Sequence, residues 1–381
     1  MGISAKDRQY MRQVLELAAL ARGCTSPNPM VGAILVHGDQ IIGQGFHEQS
    51  GHPHAEVMAL RDAKANEHDV KGATLYCNLE PCNHEGKTPP CTETIIKSGI
   101  SRVVAAMIDP NPMVCGSGLR RLRSAGIEVD CGVLEGEARR LNEAFITYHQ
   151  LKRPFIIAKW AMTLDGRTST DSGDSRWISN DESRRYAHEI RSCVDAVAVG
   201  VGTIFFDNPR LTVRLDSYKR RQPKRIIFDG FLRTPIGARC LDATGGHVIL
   251  LCTDKAPQDR IERMRKAGHT VLVVPGRGRI IDIGAAMHQL AEAGIQSVLV
   301  EGGRQLHTAL IRERLADKIV VFVGAQLVGG ERPTSPLIDL GIQNMKGSIQ
   351  LKNINFKSFG DNACIEGYVN LPPMPGNSHH F

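Results

Sequence analysis

SPNPMVGAILVHGDQIIGQGFHEQSGHPHAEVMAL, residues 26–60, contains two short apolar runs, AILV at 33–36 and IIGQGF at 41–46, separated by HGDQ. Glycine and aspartate between two such runs are turn chemistry, so the spacing predicts two strands joined by a tight connection. A helix is predicted next, from Ala55 to Lys64. Upstream, residues 5–22 read as an amphipathic helix. Downstream come a strand at ATLYCNL, a helix after Pro90, a strand at RVVAAMI, a helix near 117–125 closed by Gly126, a strand at IEVDCGVL and one helix over EGEARRLNEAF. Strands alternating with helices predict a layered α/β domain.

YHQLKRP ends in a proline that stops regular structure, which places a boundary near residue 150. The alternation then restarts: FIIAKWAM, a helix near 181–192, AVAVGVG, RIIFD, HVILLC, TVLVVP, a helix near 282–293, SVLVEGG, a helix near 304–314 and KIVVFVG. SIQLKNINFKSF and ACIEGYVNL flank GDN as a hairpin, and LPPMPGNSHHF reads as a loose tail. The expected organisation is an α/β domain over 1–149, a second over 150–370 and a tail over 371–381.

Composition bounds what such a chain can do. Its 381 residues exceed one ordinary domain, and 42% hydrophobic with 23% charged residues is the balance of a globular protein. No run approaches the roughly 20 apolar residues that span a bilayer, and charge interrupts the N-terminus, so neither membrane span nor signal peptide is expected. Ten cysteines without an export signal suit free thiols and metal ligands in a reducing cytoplasm. Residues 1–149 hold 15 basic and 17 acidic side chains, whereas 150–381 hold 32 and 23, so the net charge of +7 belongs to the second part. A phosphate-bearing ligand accounts for it economically. The Lys and Arg are scattered rather than run together, which does not favour nucleic acid.

HAE at 54–56 and EPCNHEGKTPPC at 80–91 carry the chemistry. A zinc ion that must react keeps three protein ligands and one open position, and His54, Cys82 and Cys91 supply imidazole and two thiolates. Metal-activated water needs a base, and Glu56 stands two residues from the first ligand. Both cysteines stand in helix-starting context (Pro81; Pro89-Pro90), where the positive end of the helix dipole favours thiolate. A structural zinc would need a fourth protein ligand, for which His84 is the alternative.

His-x-Glu followed by Pro-Cys and a second Cys resembles the zinc-dependent nucleoside and nucleobase deaminases. Eight residues separate Cys82 from Cys91, and together with SPNPMVGAILV and GQGFHEQSGHPHAE this spacing is similar to the deaminase half of the bifunctional riboflavin-biosynthesis deaminase–reductases. KWAMTLDGRT at 159–168, SGDSRWIS at 172–179 and DNPRLTVR at 207–214 resemble the reductase half, and the likeness runs to about residue 370. It implies a cytidine-deaminase-like three-layer domain followed by a dihydrofolate-reductase-like α/β domain. It also implies deamination of 2,5-diamino-6-(5-phosphoribosylamino)pyrimidin-4-one, then NADPH reduction of the ribosyl group to ribityl.

By the same resemblance, Asn28 and His47 lie near the deaminase substrate, and Ala161, Trp177, Thr203, Asp207, Gly303, Arg304, Gln305, Leu306, His307, Thr308 and Ala309 form the NADPH site. Ser175, Arg191, Leu211, Arg214 and Glu301 would hold the reductase substrate, with the two arginines as forks for a sugar phosphate. Gly230, after RIIFD, stands where a small hydroxyl residue is expected to meet the cofactor. The expected partners are a small phosphorylated pyrimidine and further copies of this chain, with no nucleic acid and no membrane. From the residues alone, the glycine pair at 302–303 suits a phosphate at a helix start, while GVGTIF at 200–205 and GRGRII at 276–281 do not complete a Rossmann fingerprint. Two other functions fit parts of the sequence. An RNA-base deaminase would want clustered cations with aromatics, and a zinc-stapled nucleotide-binding regulator would have no use for Glu56.

Overall fold

The computed structural model describes residues 3–85, 89–112, 114–332 and 334–369, so the tail expected at 371–381 lies outside the described residues. Two compact units divide the chain between Lys152 and Arg153. The first is built from α1 (Ala5–Ala19), β1 (Gly32–His37), β2 (Gln40–Phe46), α2 (Ala55–Ala65), β3 (Thr74–Cys77), α3 (Cys91–Ser98), β4 (Arg102–Ala105), α4 (Ser117–Ser124), β5 (Glu128–Cys131), α5 (Glu135–Leu141) and α6 (Glu143–Leu151). Its sheet runs β2-β1-β3-β4-β5, antiparallel at β1/β2 and β1/β3 and parallel from β3 to β5. Apolar side chains leave both faces of the sheet: Ala33, Leu35, Leu75 and Val103 pack toward α2, α3 and α4, and Ile34, Tyr76 and Val104 pack with Met11 and Val14 of α1.

The close seat of α2 on β2 depends on two missing side chains. A Cβ on Gly43 would lie 2.4 Å from the Ala59 carbonyl oxygen, and one on Gly45 would lie 2.4 Å from Met58 Cβ and 2.7 Å from the Ala59 nitrogen. The single helix expected over EGEARRLNEAF is two. Asn142 breaks it because its buried amide is claimed elsewhere, accepting from the Met30 N–H at 2.8 Å and donating to the Met30 carbonyl at 3.0 Å.

The second unit contains β6 (Phe155–Thr163), α7 (Asp181–Arg191), β7 (Ala196–Gly200), α8 (Val201–Asp207), β8 (Lys224–Phe228), β9 (Val248–Cys252), α9 (Gln258–Lys266), β10 (Thr270–Val273), β11 (Gly276–Arg277), β12 (Ile280–Ile281), α10 (Ile283–Glu292), β13 (Ser297–Val300), α11 (Arg304–Arg312), β14 (Lys318–Gly324), β15 (Lys352–Phe359) and β16 (Asn362–Tyr368). The nine-stranded sheet runs β10-β9-β8-β7-β13-β6-β14-β16-β15; the pairings from β10 to β14 are parallel, and the terminal hairpin is antiparallel. Near-continuous apolar runs such as VILLC suit strands covered on both faces.

One local expectation of this unit needs correction, and two further elements add to the sequence reading. AVAVGVG is strand only to Gly200, after which Val201 starts α8. Helix α9 was not expected, because QDRIERMRK offers the core only Ile261 and Met264. GRGRII forms the β11–β12 hairpin.

Candidate functional site

In the first unit the chemistry-bearing residues stand at helix starts. His54 is the residue before α2, Glu56 lies in its first turn, and Cys91 opens α3. His54 Nδ1 lies 3.2 Å from Cys91 Sγ and 3.5 Å from Cys82 Sγ, and the three candidate ligand atoms all fall within 4.8 Å of one another. Tetrahedral zinc with ordinary bond lengths separates nitrogen and sulfur ligands by roughly 3.6 Å, so this donor set fits the ion. His84 is exposed and stands outside the group, which among the described residues contains only these three.

Electrostatics in the trio are tightly linked. The hydrogen bond from Cys91, with help from His54, holds the Cys82 thiol well below its ordinary value, while its bond to Cys82 pushes the Cys91 thiol up. Burial, and then the Cys82 charge, raises Glu56, whose carboxyl also reaches Cys91. His47 is buried with its ring centroid 5.5 Å from that of His54. Its Nδ1 lies 3.1 Å from the Pro53 carbonyl and its Nε2 lies 3.0 Å from the Asn28 amide nitrogen. Those partners suit a neutral ring protonated on Nδ1, and burial lowers its pKa in the same sense.

The EPC motif by itself gives Glu80 no role. Its buried carboxylate accepts backbone N–H bonds from Asp109 and Gly116 at 3.0 and 2.8 Å, and from Gly118 and Leu119 at 2.8 and 3.3 Å. It thereby ties the loop bearing Cys82 to the start of α4. Thr92 N–H donates to the Cys82 carbonyl at 3.2 Å and ties the same loop to α3.

In the second unit, β13 lies between β7 and β6, so the chain's direction of travel across the sheet reverses near this place. Ligands of such sheets sit outside the carboxyl ends of the strands at the reversal. Glu301 and Gly302-Gly303 follow β13, and α8 follows β7. Side-chain positions at Gly200 and Gly202 face open space, and Gly303 has φ +91° at the start of α11. Thr203 packs against Gly302, and Asp207 ends α8 with its carbonyl 3.1 Å from an Arg176 nitrogen.

Arg191, at the end of α7, donates to Glu301 at 2.5 Å and to the Thr212 carbonyl. Arg191 Nε and Glu301 Oε1 are buried without a hydrogen-bond partner among the described residues. The free guanidinium N–H of Arg191 suits an acceptor oxygen and the free Glu301 oxygen suits a donor such as a sugar hydroxyl. Arg214 is exposed with its N–H 3.2 Å from His188 Nδ1, Ser175 is half-buried, and Leu211 is buried at φ +57°. Lys159 and His188, not singled out in the sequence, belong to the same charged cluster; burial lowers both, His188 to about 4.

The expected cofactor residues separate by environment. Trp177 is 65% exposed with the Arg184 guanidinium 4.4 Å above its ring, and Arg304 and Gln305 are exposed. Leu306, His307 and Thr308 are buried on the inward face of α11, and Ala161 packs among residues beside Phe322. Side chains in those places serve packing, and the His307 backbone N–H is already bonded to the Gly303 carbonyl at 3.0 Å. Gly230 admits no side chain at all, since a Cβ would lie 2.0 Å from the Arg279 carbonyl oxygen.

Residues 4–107 match the cytidine and deoxycytidylate deaminase zinc-binding region, and 154–365 match the RibD C-terminal domain. The riboflavin biosynthesis protein RibD of Aquifex aeolicus is 43% identical over 94% of this chain and 97% of its own, and that of Escherichia coli is 36% identical over 94% and 98%. The crystal structure of a diaminohydroxyphosphoribosylaminopyrimidine deaminase/5-amino-6-(5-phosphoribosylamino)uracil reductase from Thermotoga maritima superposes with a TM-score of 0.82 at 37% identity, covering 95% of this chain and 98% of that one. RibD of Acinetobacter baumannii gives 0.85 at 33%, with the same coverage. A zinc-deaminase motif, a reductase domain and near-complete coverage in one order agree: the chain belongs to the RibD family of bifunctional riboflavin-biosynthesis enzymes.

Proposed function

We propose that the chain performs both reactions of its family, deaminating 2,5-diamino-6-(5-phosphoribosylamino)pyrimidin-4-one in the first unit and reducing 5-amino-6-(5-phosphoribosylamino)uracil with NADPH in the second. The observation that carries the reading is the His54–Cys82–Cys91 trio with the buried Glu56 beside it. Zinc held by the three supplies Lewis acidity toward water. Glu56 accepts the proton of the water that adds to the amino-bearing ring carbon and delivers it to the departing ammonia. Asn28 and His47, paired beside His54, offer polar atoms to the pyrimidine.

In the second unit NADPH supplies the hydride. Arg191 and Arg214 hold the sugar phosphate, and Glu301, kept ionised by Arg191 and Lys159, orients the ribosyl group. Gly303 and the first turn of α11 meet the nucleotide through backbone, and Thr203 and Asp207 meet it from the neighbouring helix α8. Self-association, a cytoplasmic setting and the absence of nucleic-acid partners belong to the same reading. No helix among the described residues is long and apolar enough to cross a membrane.

Incubating the purified protein with the diaminopyrimidine phosphate tests the whole scheme. Without NADPH the deaminated uracil should accumulate, and with NADPH the ribityl product should replace it. Intact starting material under both conditions refutes the reading.

A further inference from the structure

The β11–β12 hairpin is clamped onto the carboxyl ends of two neighbouring strands. Its Arg279 carbonyl fills the place where a side chain on Gly230, just past β8, would stand. Thr253, just past β9, fixes the hairpin from the other side, its hydroxyl 2.6 Å from the Gly278 carbonyl and 3.1 Å from the Gly230 carbonyl. Gly276 also approaches Thr253, since a Cβ there would lie 2.8 Å from the Thr253 methyl. The small hydroxyl expected after β8 is therefore replaced by the backbone of a two-arginine turn.

Arg277 and Arg279 are both exposed, and neither side chain has a hydrogen bond or ion pair among the described residues. Neighbouring cations are already engaged: Arg233 lies 3.6 Å from Asp229 and over the Phe205 ring, Arg260 donates to the Phe231 carbonyl, and Lys255 pairs with Asp254. β8 adjoins β7, which adjoins β13. Two strand spacings, about 10 Å, thus separate the end of β8 from the Gly303 turn. A dinucleotide whose pyrophosphate rests near Gly303 can extend its adenosine half across the open Gly200–Gly202 turn toward the hairpin.

We infer that Arg277 and Arg279 bind the 2′-phosphate of NADPH and so set the preference for NADPH over NADH. This inference rests on the proposed reductase reading. A phosphate dianion offers several acceptor oxygens to forked guanidinium donors, and NADH has a neutral hydroxyl in its place. The rigid seating of the hairpin on Gly230 and Thr253 presents both arginines on backbone that is already ordered, which lowers the cost of binding.

Nucleotide-fluorescence titration of the full-length protein without substrate tests it. The Arg277→Ala/Arg279→Ala pair should weaken NADPH by roughly 10- to 100-fold, as expected for loss of charge-assisted bonds, and leave NADH affinity unchanged. The Arg277→Lys/Arg279→Lys pair should fall between, keeping charge without the fork. An unchanged ratio of NADPH to NADH affinity in the alanine pair overturns the inference while leaving the reductase reading intact. Failure of the unsubstituted protein to bind either nucleotide sinks the reductase reading itself.

Discussion

Glu56 combines three constraints in one side chain: it is buried, it begins a helix, and it touches a zinc ligand. A carboxamide keeps its size but cannot accept a proton. Glu56→Gln is expected to retain zinc by metal analysis and to lose deamination by about 10²–10⁴-fold, the usual contribution of a general base. A different single-residue effect concerns His307, whose ring is buried 3.2 Å from the Val300 carbonyl and 5.4 Å between centroids from Trp160. Burial lowers its pKa to about 4 from 6.5. A histidine kept neutral by folding contributes stability that is fully present above pH 6.5 and is lost as pH falls toward 4. That part is on the order of 3 kcal/mol. Urea unfolding at pH 7 and pH 4 should show a smaller acid loss in His307→Gln than in the unsubstituted protein, and equal losses would assign the acid sensitivity elsewhere.

At the scale of elements, the zinc site depends on how helices seat against strands. Gly43 and Gly45 let α2 approach β2, and α2 in turn sets His54 and Glu56. Gly45→Ala forces a methyl against Met58 and the Ala59 backbone, and overpacking of this kind costs about 1–3 kcal/mol. Lower urea resistance together with zinc release at lower chelator concentration is the expected outcome. Unchanged zinc retention would show that α2 does not govern the site. On the other side of the site, Glu80 holds the Cys82 loop against the amide groups at the start of α4. A motif match at EPC does not reveal this, because the partners of Glu80 lie 29 to 39 residues further along the chain.

At the scale of the molecule, the two chemistries share no residue, and they fall in different compact units. Glu56→Gln should therefore reduce already deaminated substrate at nearly the normal rate. Arg214→Ala should weaken reduction by roughly 1.5–3 kcal/mol, the worth of a charge-assisted bond, and leave deamination largely intact. Product analysis with each substrate separately checks both. Loss of both activities in either folded variant would point to one shared active site.

Much of this was legible along the chain, the strands because their signals are local and the ligands because their residue types are distinctive. Turn residues between apolar runs marked β1 and β2, and the ligand types of His54, Cys82 and Cys91 announced metal chemistry before any geometry was known. What the sequence could not disclose depends on residues brought together from afar. Asn142 breaks a helix because Met30, 112 residues away, takes its amide. Arg191 finds Glu301 across 110 residues, and β13 enters between β7 and β6 only when the sheet closes. Gly230 is glycine because a distant hairpin occupies the space of its side chain. Periodicity is a property of neighbours in sequence and donor chemistry a property of each residue type, so they determined the α/β class and the metal ligands. Sheet order, ion pairing and steric exclusion arise between segments remote in the chain, so only the tertiary structure decided them.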